Sequence, residues 1–197
     1  MQTRIYQVEW PMQKNNFFGF NRLVIKIGSA LLINNDSTVN KAWLRSIANE
    51  INDLLSNKVE ILIVSSGAVA IGCGIIGKKR TLMNLNELQA AAAMGQAQLV
   101  IEWQDALKGI NVKAAQILLT PDDTENRKRF LNSKNTLQAL LKLNVVPIIN
   151  ENDTVATDEL RYGDNDRLAA RVAQMVMADG LILLSDVDGL YESDPVL

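Results

Sequence analysis

Five apolar runs recur along the chain, and the residues between them repeat at a different period. RLVIKI (22–27), VEILIVSS (59–66), VKAAQILLT (112–120), VVPIIN (145–150) and GLILLSD (180–186) read as strands. VEILIVSS is apolar on both faces, as a central parallel strand is. Between the first two runs, Leu44, Ile47, Ala48, Ile51, Leu54 and Leu55 fall at helical spacing. Helices are expected over 87–108, 130–144 and 167–179. Pro147 removes one ladder donor from the fourth strand. Strand and helix alternate throughout, so the expected fold class is α/β, a mostly parallel sheet with helices on both faces. The expected domain core runs from about residue 20 to the end, and residues 1–20 read as an N-terminal extension with no assignable role.

In an open sheet of this kind ligands bind at the carboxyl ends of the strands. Gly28-Ser29 follows the first strand and Ser65-Ser66-Gly67-Ala68 the second. Asn150-Glu151-Asn152-Asp153 follows the fourth, and Ser185-Asp186-Val187-Asp188-Gly189 the fifth. Small residues let a backbone approach a ligand, and free N–H groups at a helix start suit an anion. The same Gly-Ser pairs also make ordinary turns. Lys26 is more telling, because it lies inside an apolar strand. A buried, unpaired ammonium costs several kcal/mol, so Lys26 needs a protein carboxylate or a ligand phosphate. Asp153, Asp164 and Asp166, close to Asn165, cannot all be buried and ionised without cations; a substrate ammonium, a magnesium ion or a lysine would serve. A lysine and glycine loops facing acidic loops are what phosphoryl transfer uses, where positioning and charge neutralisation do most of the work. Neither a GxxxxGK[ST] loop nor the HRD and DFG motifs of protein kinases occur.

Composition closes off other chemistry. With no histidine and one cysteine, a zinc site, a histidine-based nucleophilic triad and an internal disulfide are out of reach. Cys73, within IGCGIIG, reads as a buried, inert thiol, in keeping with a reducing cytoplasm. A net charge of −2 and no long basic run give no sign of nucleic acid or of an anionic membrane surface. Arg127-Lys128-Arg129 reads as a solvated helix face. The first twenty residues hold no continuous apolar stretch and match neither a signal peptide nor a spanning helix.

VIKIGSALL (24–32), VSSGAVAIG (64–72), RFLNSKNTLQALL (129–141), VVPIINENDTVAT (145–157), YGDNDRLAA (162–170) and LILLSDVDGLY (181–191) occur in this order. Together they resemble the amino acid kinase family over roughly residues 22–195, and within it the branch that phosphorylates the side-chain carboxylate of glutamate at the start of proline biosynthesis. The INEND and GDND blocks are the specific part. The resemblance implies a three-layer αβα sandwich, ATP and Mg2+ as cofactors, and L-glutamate as the small-molecule substrate. It makes Lys26 and Asp166 catalytic, with Lys26 on the transferring phosphate. It makes Ser66, Gly67, Asn150, Asp153, Asp164 and Asn165 substrate-binding, with Asp153 on the substrate ammonium and Asn165 on its carboxylate. Lys26, Gly28, Ser29, Ser185 and Asp186 become ATP-binding, and no resident metal site is expected. It further implies a cytoplasmic protein, inhibition by proline and a homo-oligomer, and a loop around the two acidic blocks that is mobile without substrate. Beyond Leu197 the family supplies a second lysine, more of the nucleotide pocket and the last strands, often with an added PUA domain. The sheet is therefore expected to be incomplete at its C-terminal side. Another amino acid kinase specificity (aspartate or acetylglutamate) and a relic that binds glutamate or proline without turnover are the alternatives.

Overall fold

The computed structural model describes residues 5–6, 19–155, 165–186 and 190–191. The elements in chain order are β1 (Ile5–Tyr6), β2 (Arg22–Ile27), α1 (Ser29–Leu32), α2 (Lys41–Ser56), β3 (Glu60–Ser65), α3 (Ala68–Ile76), α4 (Leu85–Lys108), β4 (Lys113–Leu119), α5 (Pro121–Glu125), α6 (Arg127–Lys142), β5 (Val145–Glu151), α7 (Asn165–Val176), β6 (Gly180–Leu184) and β7 (Leu190–Tyr191). A short 3₁₀ turn, Arg80–Leu82, joins α3 to α4. Five strands form one parallel sheet in the order β4-β5-β3-β2-β6, and β1 pairs antiparallel with β7. All five expected strands are present, with ends within two residues of the expected ones.

The two faces of the sheet carry separate cores. Leu23, Ile25, Ile27, Ile61 and Ile63 pack beneath α2 and α4 through Leu44, Ala48, Ile51, Leu99, Trp103 and Leu107. Val24, Leu62, Val64 and Ile149 pack beneath α6 and α7 through Leu137, Leu141, Val172, Met175 and Val176. Strand alternation produces this division directly: successive β2 and β3 side chains go to opposite helix layers. The result is a three-layer αβα sandwich. Pro147 is accommodated where pairing is sparse, since β5 meets β3 only from Ile148 onward (Ile63↔Ile148, Val64↔Ile149) while pairing along its whole length with β4.

The crossovers explain where the site must lie. From β2 to β3 to β4 the chain advances across the sheet in one direction, with α2 and α4 on the first face. From β4 to β5 to β6 it returns, with α6 and α7 on the second. Right-handed crossovers demand this change of face when direction reverses. Beyond the carboxyl ends of the neighbouring strands β3 and β5, the chain therefore departs to opposite faces and leaves a crevice between them.

Helix α3 was not anticipated from the sequence. It begins after Gly67, whose φ of +111° is a conformation that L side chains rarely adopt. It then lies directly against α4. A Cβ on Gly95 would sit 1.8 Å from the Ala68 carbonyl oxygen, and one on Gly72 1.8 Å from that of Ala91. The two helices thus touch backbone to backbone. Gly95→Ala is expected to push them apart and destabilise the fold by about 1–3 kcal/mol, despite the better helix propensity of alanine; the denaturation midpoint of the variant checks this.

Candidate active-site cleft

A cleft of about 480 Å³, open to solvent, lies in the crevice beyond β3 and β5. Its lining includes Ser29, Ser66, Gly67, Arg80, Asn150, Glu151, Asp153 and Asn165. Five residues singled out from the sequence as substrate-binding, Ser66, Gly67, Asn150, Asp153 and Asn165, therefore meet here, with Ser29 beside them. Asp164 lies outside the described residues, as does most of the loop expected to be mobile.

Each side chain is held from behind. Ser65 is fully buried, and its hydroxyl accepts from the indole N–H of Trp103 at 2.9 Å and donates to the Ser66 carbonyl at 3.3 Å. The next residue, Ser66, turns to the cleft, with its own N–H tied to the Ile27 carbonyl at 3.1 Å. Asn165 opens α7 and donates its amide to Ser66 Oγ at 2.8 Å and to Asn150 Oδ1 at 3.0 Å. The amide of Asn150 in turn donates to Gln96 Oε1 at 2.7 Å. Asn150, Asn165 and Gln96 are all buried. Both Asn165 hydrogens are thus committed, and the atom it leaves for a ligand is Oδ1, an acceptor. The resemblance gives Asn165 a donor's task, on a substrate carboxylate; in the geometry observed the free donor is the Ser66 hydroxyl.

Lys26 follows from the same alternation. Two residues beyond Val24, it emerges on the α6–α7 face, where Nζ meets Asp166 Oδ1 at 2.6 Å. The ammonium is largely buried, with 12% of its side chain exposed, whereas Asp166 is 50% exposed. Of the two partners open to Lys26, the carboxylate is the one present. Asp166 can be displaced toward solvent, because its own desolvation is slight. Gly28 and Ser185 adjoin this pair: a Cβ on Gly28 would lie 3.3 Å from the Leu184 carbonyl oxygen, 3.8 Å from Lys26 Nζ and 3.9 Å from Ser185 Cα. Ser185 donates to the exposed Asp186 carboxylate at 3.1 Å. The two residues at the start of α7 therefore join two places, with Asn165 in the cleft and Asp166 on the lysine.

Asp153 is the electrostatic anomaly. Burial is the main cause that raises its carboxyl from the ordinary 3.8 to about 6, the negative charge of Glu151 adds to this, and Arg80 opposes it. Among the described residues that line the cleft, two carry carboxyl groups, Glu151 and Asp153, and one is cationic, Arg80. Sequence reading missed Arg80 and Gln96, and named Glu151 only within the acidic cluster, without a role of its own. Arg80 arrives through the 3₁₀ turn and has no local signature. Gln96 could have been found, since it lies on the apolar stripe of α4, four residues after Ala92 and three before Leu99. Elsewhere, Cys73 is buried and burial raises its thiol, as expected of an inert residue. Arg127–Arg129 form an exposed helix start.

Fold and cleft together define an α/β protein with an open, polar cleft at the carboxyl ends of a parallel sheet. Residues 21–197 match the model of the amino acid kinase family, and the chain belongs to that family. It is similar to the glutamate 5-kinases of Brucella ovis, Brucella canis and Brucella melitensis, 54% identical over 176 residues, which is 89% of this chain and 47% of each relative. The chain thus spans about half the length of these relatives. The crystal structure of UMP kinase from Ureaplasma parvum shares the fold, with a TM-score of 0.59 and 25% identity over 88% of this chain and 73% of that one. Among the described residues no helix is long and apolar enough to cross a membrane.

The Asp153 carboxyl sets a pH dependence. Its folded pKa is raised, so between about 4 and 6 the folded state holds more protons than the unfolded, and stability falls as pH rises through that window. Asp153→Asn is expected to be more stable than the parent at pH 7 by about 1–3 kcal/mol, with the difference shrinking to nothing near pH 3.5. Denaturation midpoints measured from pH 3.5 to 8 check both sign and window.

Proposed function

We propose that this chain carries the acceptor site and the phosphate-facing lysine of a glutamate 5-kinase, which transfers the γ-phosphoryl group of ATP to the side-chain carboxylate of L-glutamate. The observation that carries the reading is the junction at the start of α7: Asn165 faces the cleft while Asp166, one residue on, holds Lys26. Acceptor and phosphoryl donor would meet across that junction. The 54% identity to glutamate 5-kinases supports the substrate assignment.

In this reading a glutamate ammonium binds at the Asp153 carboxylate and offsets the cost of its burial as an ion. The Ser66 hydroxyl and the N–H groups at the start of α3 receive a carboxylate. The acceptor carboxylate oxygen attacks the γ-phosphorus. As that P–O bond forms, the bond to the bridging oxygen breaks and its electron pair leaves with ADP. Charge on the transferring oxygens is met by Lys26, which Asp166 keeps at the strand end until the phosphate arrives. Gly28, Ser29, Ser185 and Asp186 follow the adjacent strands β2 and β6 and are the ATP-side candidates; the missing side chain at Gly28 keeps the approach to Lys26 Nζ open. Mg2+ would neutralise phosphate charge. A cytoplasmic location, a homo-oligomer and inhibition by proline complete the proposal.

A second reading is glutamate binding without turnover. ADP release from Mg-ATP by the 197-residue chain, with glutamate, aspartate, N-acetylglutamate or no acceptor, separates the possibilities. Glutamate-dependent release is expected. Release with another acceptor overturns the substrate assignment, and binding without release leaves the second reading. Lys26→Ala is expected to lower turnover by about a hundredfold or more while leaving glutamate affinity close to that of the parent; wild-type turnover in the variant would remove Lys26 from its role.

A further inference from the structure

Three consecutive peptide planes lead from the end of β3 into α3. The N–H of Ser66 donates to the Ile27 carbonyl at 3.1 Å and fixes the first plane. The Gly67 carbonyl accepts from the N–H of Ile71 at 3.0 Å and fixes the third. The plane between them, from the Ser66 carbonyl to the Gly67 N–H, takes part in no backbone hydrogen bond among the described residues. It is also the plane that can turn over. A peptide plane rotates through compensating changes in the ψ before it and the φ after it, and glycine accepts either sign of φ at little steric cost. Gly67 stands at φ +111°.

What holds this plane is a row of side-chain hydrogen bonds whose direction is fixed by chemistry. Trp103 is fully buried on α4, and an indole nitrogen can only donate. It donates to Ser65 Oγ at 2.9 Å. The Ser65 hydroxyl proton is thereby left to be passed on, and it goes to the Ser66 carbonyl at 3.3 Å, which can only accept. Neither end of the row can be reversed. No described peptide is cis, and in a trans peptide the carbonyl and the N–H point in opposite directions. With the Ser66 carbonyl drawn back toward the buried indole, the Gly67 N–H is sent the other way, at the wall of the cleft that Ser66 and Gly67 line. Turned over, the plane would offer a carbonyl oxygen there and repel a carboxylate.

We propose that Trp103 and Ser65 are positioning residues: the indole holds the Ser65 hydroxyl, the hydroxyl holds the Ser66 carbonyl, and the Gly67 N–H is thereby kept facing a carboxylate of the bound amino acid. The proposal rests on the glutamate reading given above and adds the device that keeps a donor, and not an oxygen, at that point of the cleft.

The test is calorimetric titration of the 197-residue chain with three ligands. Glutamate has both carboxylates, α-aminobutyrate lacks the side-chain one, and γ-aminobutyrate lacks the α one. The parent is compared with Ser65→Ala and with Ser65→Ala combined with Trp103→Phe. The single variant orphans a buried indole N–H and costs stability; the double variant removes donor and acceptor together, so that a folded protein remains to be measured. Both are expected to lose about tenfold in glutamate affinity, the double variant no more than the single one, because the two residues act through one row. The same loss is expected for one aminobutyrate only, the one that keeps the carboxylate received at Gly67. Equal losses for all three ligands would mean a general disturbance of the cleft and overturn the proposal. A parent that binds no glutamate overturns the glutamate reading and this proposal with it, whereas a parent that binds glutamate, with both variants unchanged, overturns the proposal alone.

Discussion

A right-handed crossover can lay its helix on only one face of a sheet while the chain advances in one direction. This chain reverses direction once, after β4, and so must change faces there. Everything distinctive about the site depends on that reversal. It splits the exits of β3 and β5, opens the crevice between them, and brings Ser66, from the second strand of the sheet, within hydrogen-bonding distance of Asn165, 99 residues later. The core below is ordinary: two apolar layers, each packed on alternate residues of the same strands. The polar residues do not compete with it, because they sit where the ladder ends.

Charge at this edge is arranged in two unequal places. Lys26 lies deep, and a single carboxylate that is itself half exposed accompanies it. Such a pair gains little for stability, since the buried partner bears the desolvation and the exposed partner is screened. Its value lies in keeping an ammonium at a strand end, next to a glycine, with a counterion that a phosphate can replace. Asp153 is the converse. It is a carboxyl raised first by burial and then by the negative charge of Glu151, with Arg80 opposing both. One place has a cation ready for an anion, and the other an acid ready for a cation. In the proposed reading, an amino acid beside a nucleotide phosphate satisfies both.

The layers of this fold were legible because each depends on a local period. Strands buried on both faces read as continuous apolar runs, and α2 reads as a clear 3.6-residue stripe. Helix α3 was illegible for a physical reason: AVAIGCGII is small and apolar all round, since one side meets α4 backbone to backbone, so it has no polar face to mark a period. Its extent was hidden further by glycines that would ordinarily argue against a helix. The site divides in the same way. Lys26, Asn150 and Asp153 could be picked out because each breaks an apolar run or directly follows one. Arg80 and Glu151 could be assigned no task from sequence, because their effect on Asp153 comes from proximity that only the folded chain creates.

Gln96 shows what kind of information lies between these extremes. A polar residue on a buried stripe announces that something must satisfy it, but not what. The answer here is a row of amides, each of which could face either way. Charged groups recognise a ligand by sign and need no such arrangement. Amides recognise by direction, and direction belongs to the row and not to any one member. A cleft that must bind an ammonium beside a carboxylate, with another carboxylate left free to react, gains from having both kinds. In the proposed reading Asp153 attracts the amino acid, and the row holds Asn150 and Asn165 in place at the cleft wall. The hydrogen bonding of such a site therefore extends one layer behind its surface, to a residue outside the cleft lining.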